Sequence, residues 1–154
     1  MTLPDLARLC DVFYIGGTKC GALFGEAVVI PKHNYIPHVF TIIKQHGALL
    51  AKGRISGLQF DTLFTDDLYL EVGRNAIKTA QRIRDALCRK GYRLAFGSPT
   101  NQIFPELENS QCDALSEKVE MAFWEHSDET HTIMRIATSW ATTDEDVDRL
   151  ISCL

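Results

Sequence analysis

Apolar positions along this chain come in two kinds of run. Before residue 31 they are nearly continuous. Asp11-Val-Phe-Tyr-Ile15 leads into Gly16-Gly17, and Phe24-Gly-Glu-Ala-Val-Val-Ile30 stops at Pro31. Apolar residues at successive positions predict two strands buried on both faces. Between them Gly16-Gly-Thr-Lys-Cys-Gly21 reads as a turn. Leu3 to Leu9 precede them as a short helix with Pro4 in its first turn, where the missing N–H costs nothing. From about Tyr35 to Phe64 the pattern is helical but interrupted by Gly47, Gly53 and Gly57. Each glycine costs a helix about 1 kcal/mol against alanine, so breaks or close backbone approaches are expected there.

Beyond residue 70 the runs become periodic. Val72, Ala76, Ala80, Ile83 and Leu87 step by three or four residues into one helical stripe. Arg89 and Lys90 suit its last turn, and Gly91 its stop. Tyr92 to Phe96 and Gln102 to Leu107 predict short strands joined by Gly97-Ser-Pro-Thr-Asn101. Gln111 to about Val119 predicts a helix, and Thr130 to Thr138 a further strand. Thr142, with Glu145 three residues on, predicts the capping box of a last helix whose stripe is Val147, Leu150, Ile151 and Leu154. Residues 1–64 therefore read as one α/β region and 65–154 as a small α+β domain with a connecting helix. Two doubly buried strands do not make a sheet, and nothing later supplies more of that type. They are expected to complete a sheet whose other strands lie outside this sequence.

Composition narrows the function classes. Apolar residues make up 45% and charged residues 23% of 154, with a formal net charge of −4. No basic block stands out, since Arg82 to Arg93 reads as a solvated helix end, so nucleic acid is not an expected partner. No apolar run reaches the length of a membrane span. Five cysteines without a C-x-x-C pair argue against a disulfide framework or a zinc site. No metal is expected, and a reducing, cytoplasmic setting fits.

Two residues carry candidate chemistry. Lys19 lies in the glycine-rich turn between the two apolar strands. At a buried sheet edge a lysine loses hydration, and its amine becomes a better nucleophile toward an aldehyde. Glycines admit a ring and a phosphate close to the backbone, and Thr18 has a hydroxyl and an amide to offer that phosphate. A surface lysine in a glycine-rich turn has the same pattern. Arg135 lies in Thr132 to Ala137, alternating with Met134 and Ile136. If buried it requires an anion, and its planar fork suits a carboxylate; on an open sheet face it requires none. His33, His38, His46, His126 and His131 read as surface residues, Asp66 and Asp67 as the start of a helix, and Trp124 and Trp140 as packing.

Three blocks, in order, resemble one family. Phe13-Tyr-Ile-Gly-Gly-Thr-Lys-Cys-Gly-Ala-Leu-Phe-Gly-Glu-Ala-Val-Val29 looks like the cofactor-lysine segment of the threonine aldolases. Lys44-Gln-His-Gly-Ala-Leu-Leu-Ala-Lys-Gly-Arg-Ile-Ser-Gly-Leu-Gln-Phe60 and Thr132-Ile-Met-Arg-Ile-Ala-Thr-Ser-Trp140 match further blocks. The family belongs to the fold-type-I, aspartate-aminotransferase-like enzymes that use pyridoxal 5'-phosphate. The resemblance implies an α/β fold: the end of a large-domain sheet followed by a small carboxy-terminal α+β domain. It implies that Lys19 bonds the cofactor and that Arg135 binds the substrate carboxylate. Lys52 and Arg54 fall in a segment that in relatives reaches a cofactor phosphate across a dimer interface. The implied reaction cleaves a β-hydroxy amino acid, typically threonine or allo-threonine, into glycine and an aldehyde, in a homo-oligomer. The family's aspartate for the pyridine nitrogen and its ring-stacking histidine come from an amino-terminal half that these residues do not include. The chain is accordingly expected to be the carboxy-terminal part of a longer enzyme. An inactive structural or dimerisation module and a related β-eliminating lyase are the alternatives.

Overall fold

The structure, a computed structural model, describes residues 1–154 as two compact units, Met1–Tyr69 and Leu70–Leu154. It is a mixture of helices and antiparallel sheets, and no helix is long and apolar enough to cross a membrane.

The first unit opens with α1 (Leu3–Leu9), which has Pro4 in its first turn as expected and a capping box that was not apparent from the sequence. Thr2 accepts from the Asp5 amide and Asp5 accepts from the Thr2 amide. Strands β1 (Phe13–Gly16) and β2 (Glu26–Val29) pair antiparallel, from Phe13 opposite Val29 to Gly16 opposite Glu26. Burial on both faces is not found. Ile15 is the one buried residue of the two strands, while Tyr14 and Val28, directly opposite each other, are 69% and 67% exposed. The reason is topological: each strand has only the other as partner, so no further strand or layer covers the outer face. The expected helical region from 35 to 64 is two helices, α2 (Val39–Gln45) and α3 (Arg54–Phe64). Gly47, in left-handed backbone at φ +69°, lies beyond the end of α2. Gly53 precedes α3, and Gly57 is tolerated inside it. Asp66 and Asp67, both at positive φ, turn the chain into α4 (Leu68–Arg89).

The second unit is a five-stranded antiparallel sheet with helices packed on one face. Its strands are β3 (Arg93–Leu94), β4 (Gln102–Ile103), β5 (Pro105–Glu108), β6 (Ala122–His126) and β7 (His131–Ala137). Strands β4 and β5 pair with β7 in one register, Gln102 opposite Ala137 and Glu106 opposite Ile133. The expected single strand from 102 to 107 is interrupted at Phe104, just before Pro105, which has no N–H to donate to the ladder. The hairpin partner β6 pairs with β7 and was not apparent from the sequence. Its Phe-Trp-Glu-His segment lacks alternation, and four of its five residues are exposed.

Side chains of one face of this sheet join the helices in two clusters. Ile103 packs with Ala80, Ile83 and Leu87 of α4 and with Val147 of α6 (Asp144–Cys153). Leu107 and Met134 pack with Leu115 of α5 (Asn109–Ser116). Leu87, Ile103, Leu107 and Val147 are almost fully withdrawn from water, and each such side chain contributes about 1.5–3 kcal/mol. The cap of α6 lies one residue later than the sequence indicates. Thr143 and Asp146 form the box, because the Thr142 hydroxyl is taken by the Ser139 amide in the preceding turn. By strand alternation the opposite face of the sheet carries Phe104, Glu106, Ile133 and Arg135.

Candidate functional site

The turn that carries Lys19 is built by its glycines and held by α3. Gly17 precedes a single 3-10 turn, Thr18–Cys20, and Gly21 closes it at φ +94°, which glycine adopts without steric cost. Gly17 is buried, and a Cβ there would come within 2.6 Å of the Ala22 Cβ and 3.0 Å of the Phe60 ring. Only glycine fits that approach. One residue earlier on α3, the Gln59 side-chain amide grips the loop on both sides. Its oxygen accepts from the Leu23 amide at 3.0 Å and its nitrogen donates to the Phe24 carbonyl at 2.5 Å. Tyr69 fixes the other end by donating its hydroxyl to the Gly16 carbonyl at 2.8 Å. Burial pushes the Tyr69 phenol up to about 12, and the neighbouring Cys20 thiol adds to the shift. The hydroxyl therefore stays protonated and able to donate at neutral pH.

Lys19 itself is exposed, as is Thr18. The expected loss of hydration is not found within this chain, because the hairpin leaves its turn facing solvent. The Lys19 amine enters none of the ion pairs. Lys52 lies in the turn before α3 and Arg54 is its first residue, both exposed. No hydrogen bond or ion pair joins either to Thr18 or Lys19, but α3 carries both Arg54 and the Gln59-Phe60 pair that supports the lysine turn. An exposed amine beside a hydroxyl on a rigid, glycine-bracketed turn fits an aldehyde-bearing phosphate cofactor. Neither group is already consumed by a neighbour.

Arg135 belongs to the second unit. It sits in mid-strand on β7, opposite Ala122 of β6, between buried Met134 and half-buried Ile136. The side chain is half-buried, and its Nε is sealed from water with no hydrogen-bond partner. Its guanidinium lies 5.8 Å from the centre of the Trp124 ring. A buried guanidinium N–H without an acceptor costs about 1–3 kcal/mol, and no protein acceptor is bonded to the rest of the fork, whose geometry suits a carboxylate. Of the readings open for Arg135, the structure supports the partly buried one. No group of three or more His, Cys, Asp or Glu side chains is placed to hold a metal, and the cysteines are free. Asp128 and His131 form a local turn in which the Asp128 carboxylate accepts from Thr130 and His131.

Gln59, Phe60, Tyr69 and Trp124 were not apparent from the sequence as parts of these sites. Their roles depend on which loop or strand each is folded against, and only the glycine spacing at 16, 17 and 21 hinted at a close approach.

The chain resembles known proteins in structure. A solved structure of Leishmania major threonine aldolase matches it with a TM-score of 0.93 and 42% sequence identity, over 99% of this chain and 44% of that one. These 154 residues thus span less than half the length of that relative, corresponding to its carboxy-terminal part. Sphingomonas wittichii serine palmitoyltransferase matches over 53% of this chain and 23% of its own, at 17% identity and a TM-score of 0.45, too distant a likeness to bear on function. No protein-family model matches the sequence, and no curated protein does.

Proposed function

We propose that this chain, which belongs to the threonine aldolase-like family of fold-type-I pyridoxal-phosphate enzymes, supplies the cofactor lysine and the carboxylate arginine for cleavage of a β-hydroxy amino acid to glycine and an aldehyde. The observation that carries the reading is the Lys19 turn: an unpaired amine, glycine-bracketed and held by Gln59, Phe60 and Tyr69, in a chain 42% identical to a threonine aldolase.

Lys19 would hold pyridoxal 5'-phosphate through its amine, and Thr18 would offer its hydroxyl to the phosphate. Lys52 and Arg54 would add positive charge to that phosphate across a subunit interface, in a homo-oligomer. The bound cofactor supplies an electron sink for breaking the bond between Cα and Cβ. Arg135 binds the substrate carboxylate through its guanidinium and so fixes the orientation of the scissile bond. Threonine and allo-threonine, with a methyl group beyond the β-hydroxyl, are the proposed substrates, and the proposed setting is cytoplasmic. The first unit's exposed Tyr14, Val28, Phe40 and Leu58 favour assembly with further polypeptide.

Reduction by borohydride tests the lysine. It is applied in the presence of the cofactor to a polypeptide that also supplies the part of the family fold lying outside these residues. A phosphopyridoxyl label on the Lys19 peptide is expected, and a label on another lysine would overturn the assignment. In the same protein Arg135→Ala should lower kcat/KM about tenfold or more, the worth of a bidentate charged contact, while the cofactor absorbance persists. The 154-residue chain alone is expected to give no acetaldehyde from threonine and added cofactor. It carries the lysine and the arginine but no assigned partner for the pyridine ring.

A further inference from the structure

Trp124 is the side chain that the proposed reading of Arg135 leaves unexplained. It lies on β6 where the pairing with β7 slips. Ala122 faces Arg135 and Phe123 faces Met134, but Glu125, not Trp124, faces Ile133. Trp124 is therefore the extra residue of a β-bulge, a feature that re-aims a side chain. Bulged out of register, its ring lies beside the Arg135 guanidinium at 5.8 Å.

The ring is itself buttressed. Phe104, which the register of β4 and β5 places opposite Arg135, meets the Trp124 ring edge-on at 5.0 Å. Phe96 packs on Phe104 at 4.4 Å. Phe104 is buried, whereas Trp124 is 45% exposed. Across the strand on the other side stands Ala122, whose side chain has no group to pair with a charge. No carboxylate of the protein pairs with Arg135, and its Nε has no acceptor. The aromatic face is thus the one attractive partner the fold gives this charge. A π-face attracts a cation without using its N–H groups, so it orients the fork and leaves every donor free.

We propose that Trp124 is a positioning residue: its bulged indole, braced by Phe104 and Phe96, holds the Arg135 guanidinium in place with its donors unspent for a substrate carboxylate. The inference rests on the carboxylate-binding reading of Arg135.

Its test is made on the 154-residue chain by following the Arg135 Nε–H signal in nitrogen-15 NMR spectra, identified by its loss in Arg135→Lys. Sodium acetate and glycine serve as carboxylate probes. In the unaltered chain the Nε–H should exchange slowly with water and shift on titration. Trp124→Leu should speed its exchange and weaken the carboxylate-dependent shift, each about tenfold, a change within the range of a partly desolvated cation–π contact. Trp124→Phe, which keeps a π-face, should restore both to within about threefold. Backbone amide spectra of β7 confirm that each variant is folded. Should Trp124→Leu remain folded and leave the exchange rate and the titration unchanged, or should Trp124→Phe behave like Trp124→Leu, the positioning role is overturned. If neither probe shifts the signal in the unaltered chain, the carboxylate reading fails. Exchange at Nε then still decides whether Trp124 holds the guanidinium.

Discussion

The two units treat their apolar residues in opposite ways. In Leu70–Leu154 the sheet and helices α4, α5 and α6 close over Ala80, Ile83, Leu87, Ile103, Leu107 and Val147, each at most 2% exposed. In Met1–Tyr69 the buried apolar side chains are few and small in total, Ile15, Ala22, Phe60 and Leu63, while Leu23 is 85% and Phe40 70% exposed. The second unit is ordered by burial. The first is ordered at its lysine turn by a handful of directed contacts: a glycine against a ring, one amide bridging a loop, and one phenol on a carbonyl. A candidate cofactor turn in the first unit therefore depends on few interactions, and single substitutions there should act locally. In the second unit they should act globally.

The sharpest way to break this comparison is a core truncation. Leu87→Ala removes a side chain with no exposure and should destabilise the second unit by about 2–5 kcal/mol, read from urea unfolding. Leu58→Ala on α3, at 65% exposed, should cost less than about 0.5 kcal/mol. Equal losses would mean that α3 is as deeply embedded as α4.

Gly17→Ala comes next. Its added methyl must displace Ala22 and Phe60, an overpacking worth about 1–3 kcal/mol. The effect should stay in the first unit: amide exchange at residues 16–24 should quicken while the amides of β7 keep their protection. Loss of protection in both units would show that the lysine turn is not a local structure.

A smaller effect distinguishes two registers for the last helix. Thr143→Ala should cost about 1 kcal/mol as the loss of an N-cap, whereas Glu145→Ala should be nearly neutral. If Glu145→Ala were the costly change, the helix would start one residue earlier.

The smallest effect is a pH dependence. Hydrogen bonds from the Thr130 amide and hydroxyl, and then from His131, hold the Asp128 carboxyl well below the usual carboxylate range. A folded-state value below the unfolded one gives stability that is complete above the ordinary carboxylate value, about 4. It is lost as pH falls through the folded value. Melting temperatures taken downward from pH 5 should therefore fall less steeply in Asp128→Asn than in the unaltered chain. Because Asp128 is open to solvent, the difference should be slight. Parallel slopes would show that the turn contributes nothing in acid.

How much was legible in advance follows the same division. The α4 and α6 stripes could be read because each buries one face against a partner inside the chain, so their periodicity records the burial, and the Thr130–Thr138 strand because its middle residues, Thr132, Ile133 and Met134, are buried in succession. Leu3–Leu9 could be read with Pro4 in its first turn. Strand β6 could not, since four of its five residues are exposed and the bulge at Trp124 disrupts alternation. The apolar runs of β1 and β2 foretold strands correctly and their burial wrongly. Continuous hydrophobicity records an environment, and the environment of these strands is not supplied by the other residues of this chain.

Local chemistry, by itself, determined a good deal. The glycine-rich spacing foretold a tight turn around Lys19, and two of those glycines are required there: Gly17, where a Cβ would meet Ala22 and Phe60, and Gly21, at φ +94°. The three ordered sequence blocks identified the family and singled out Lys19 and Arg135. Tertiary structure alone decided what supports them. Gln59 and Phe60 stand thirty-five or more residues from the loop they brace, and Trp124 reaches Arg135 only through a slipped register. Local preference is set by each residue's own sterics and is written position by position. A long-range contact exists only after the chain has folded back on itself, so no single segment carries its signature.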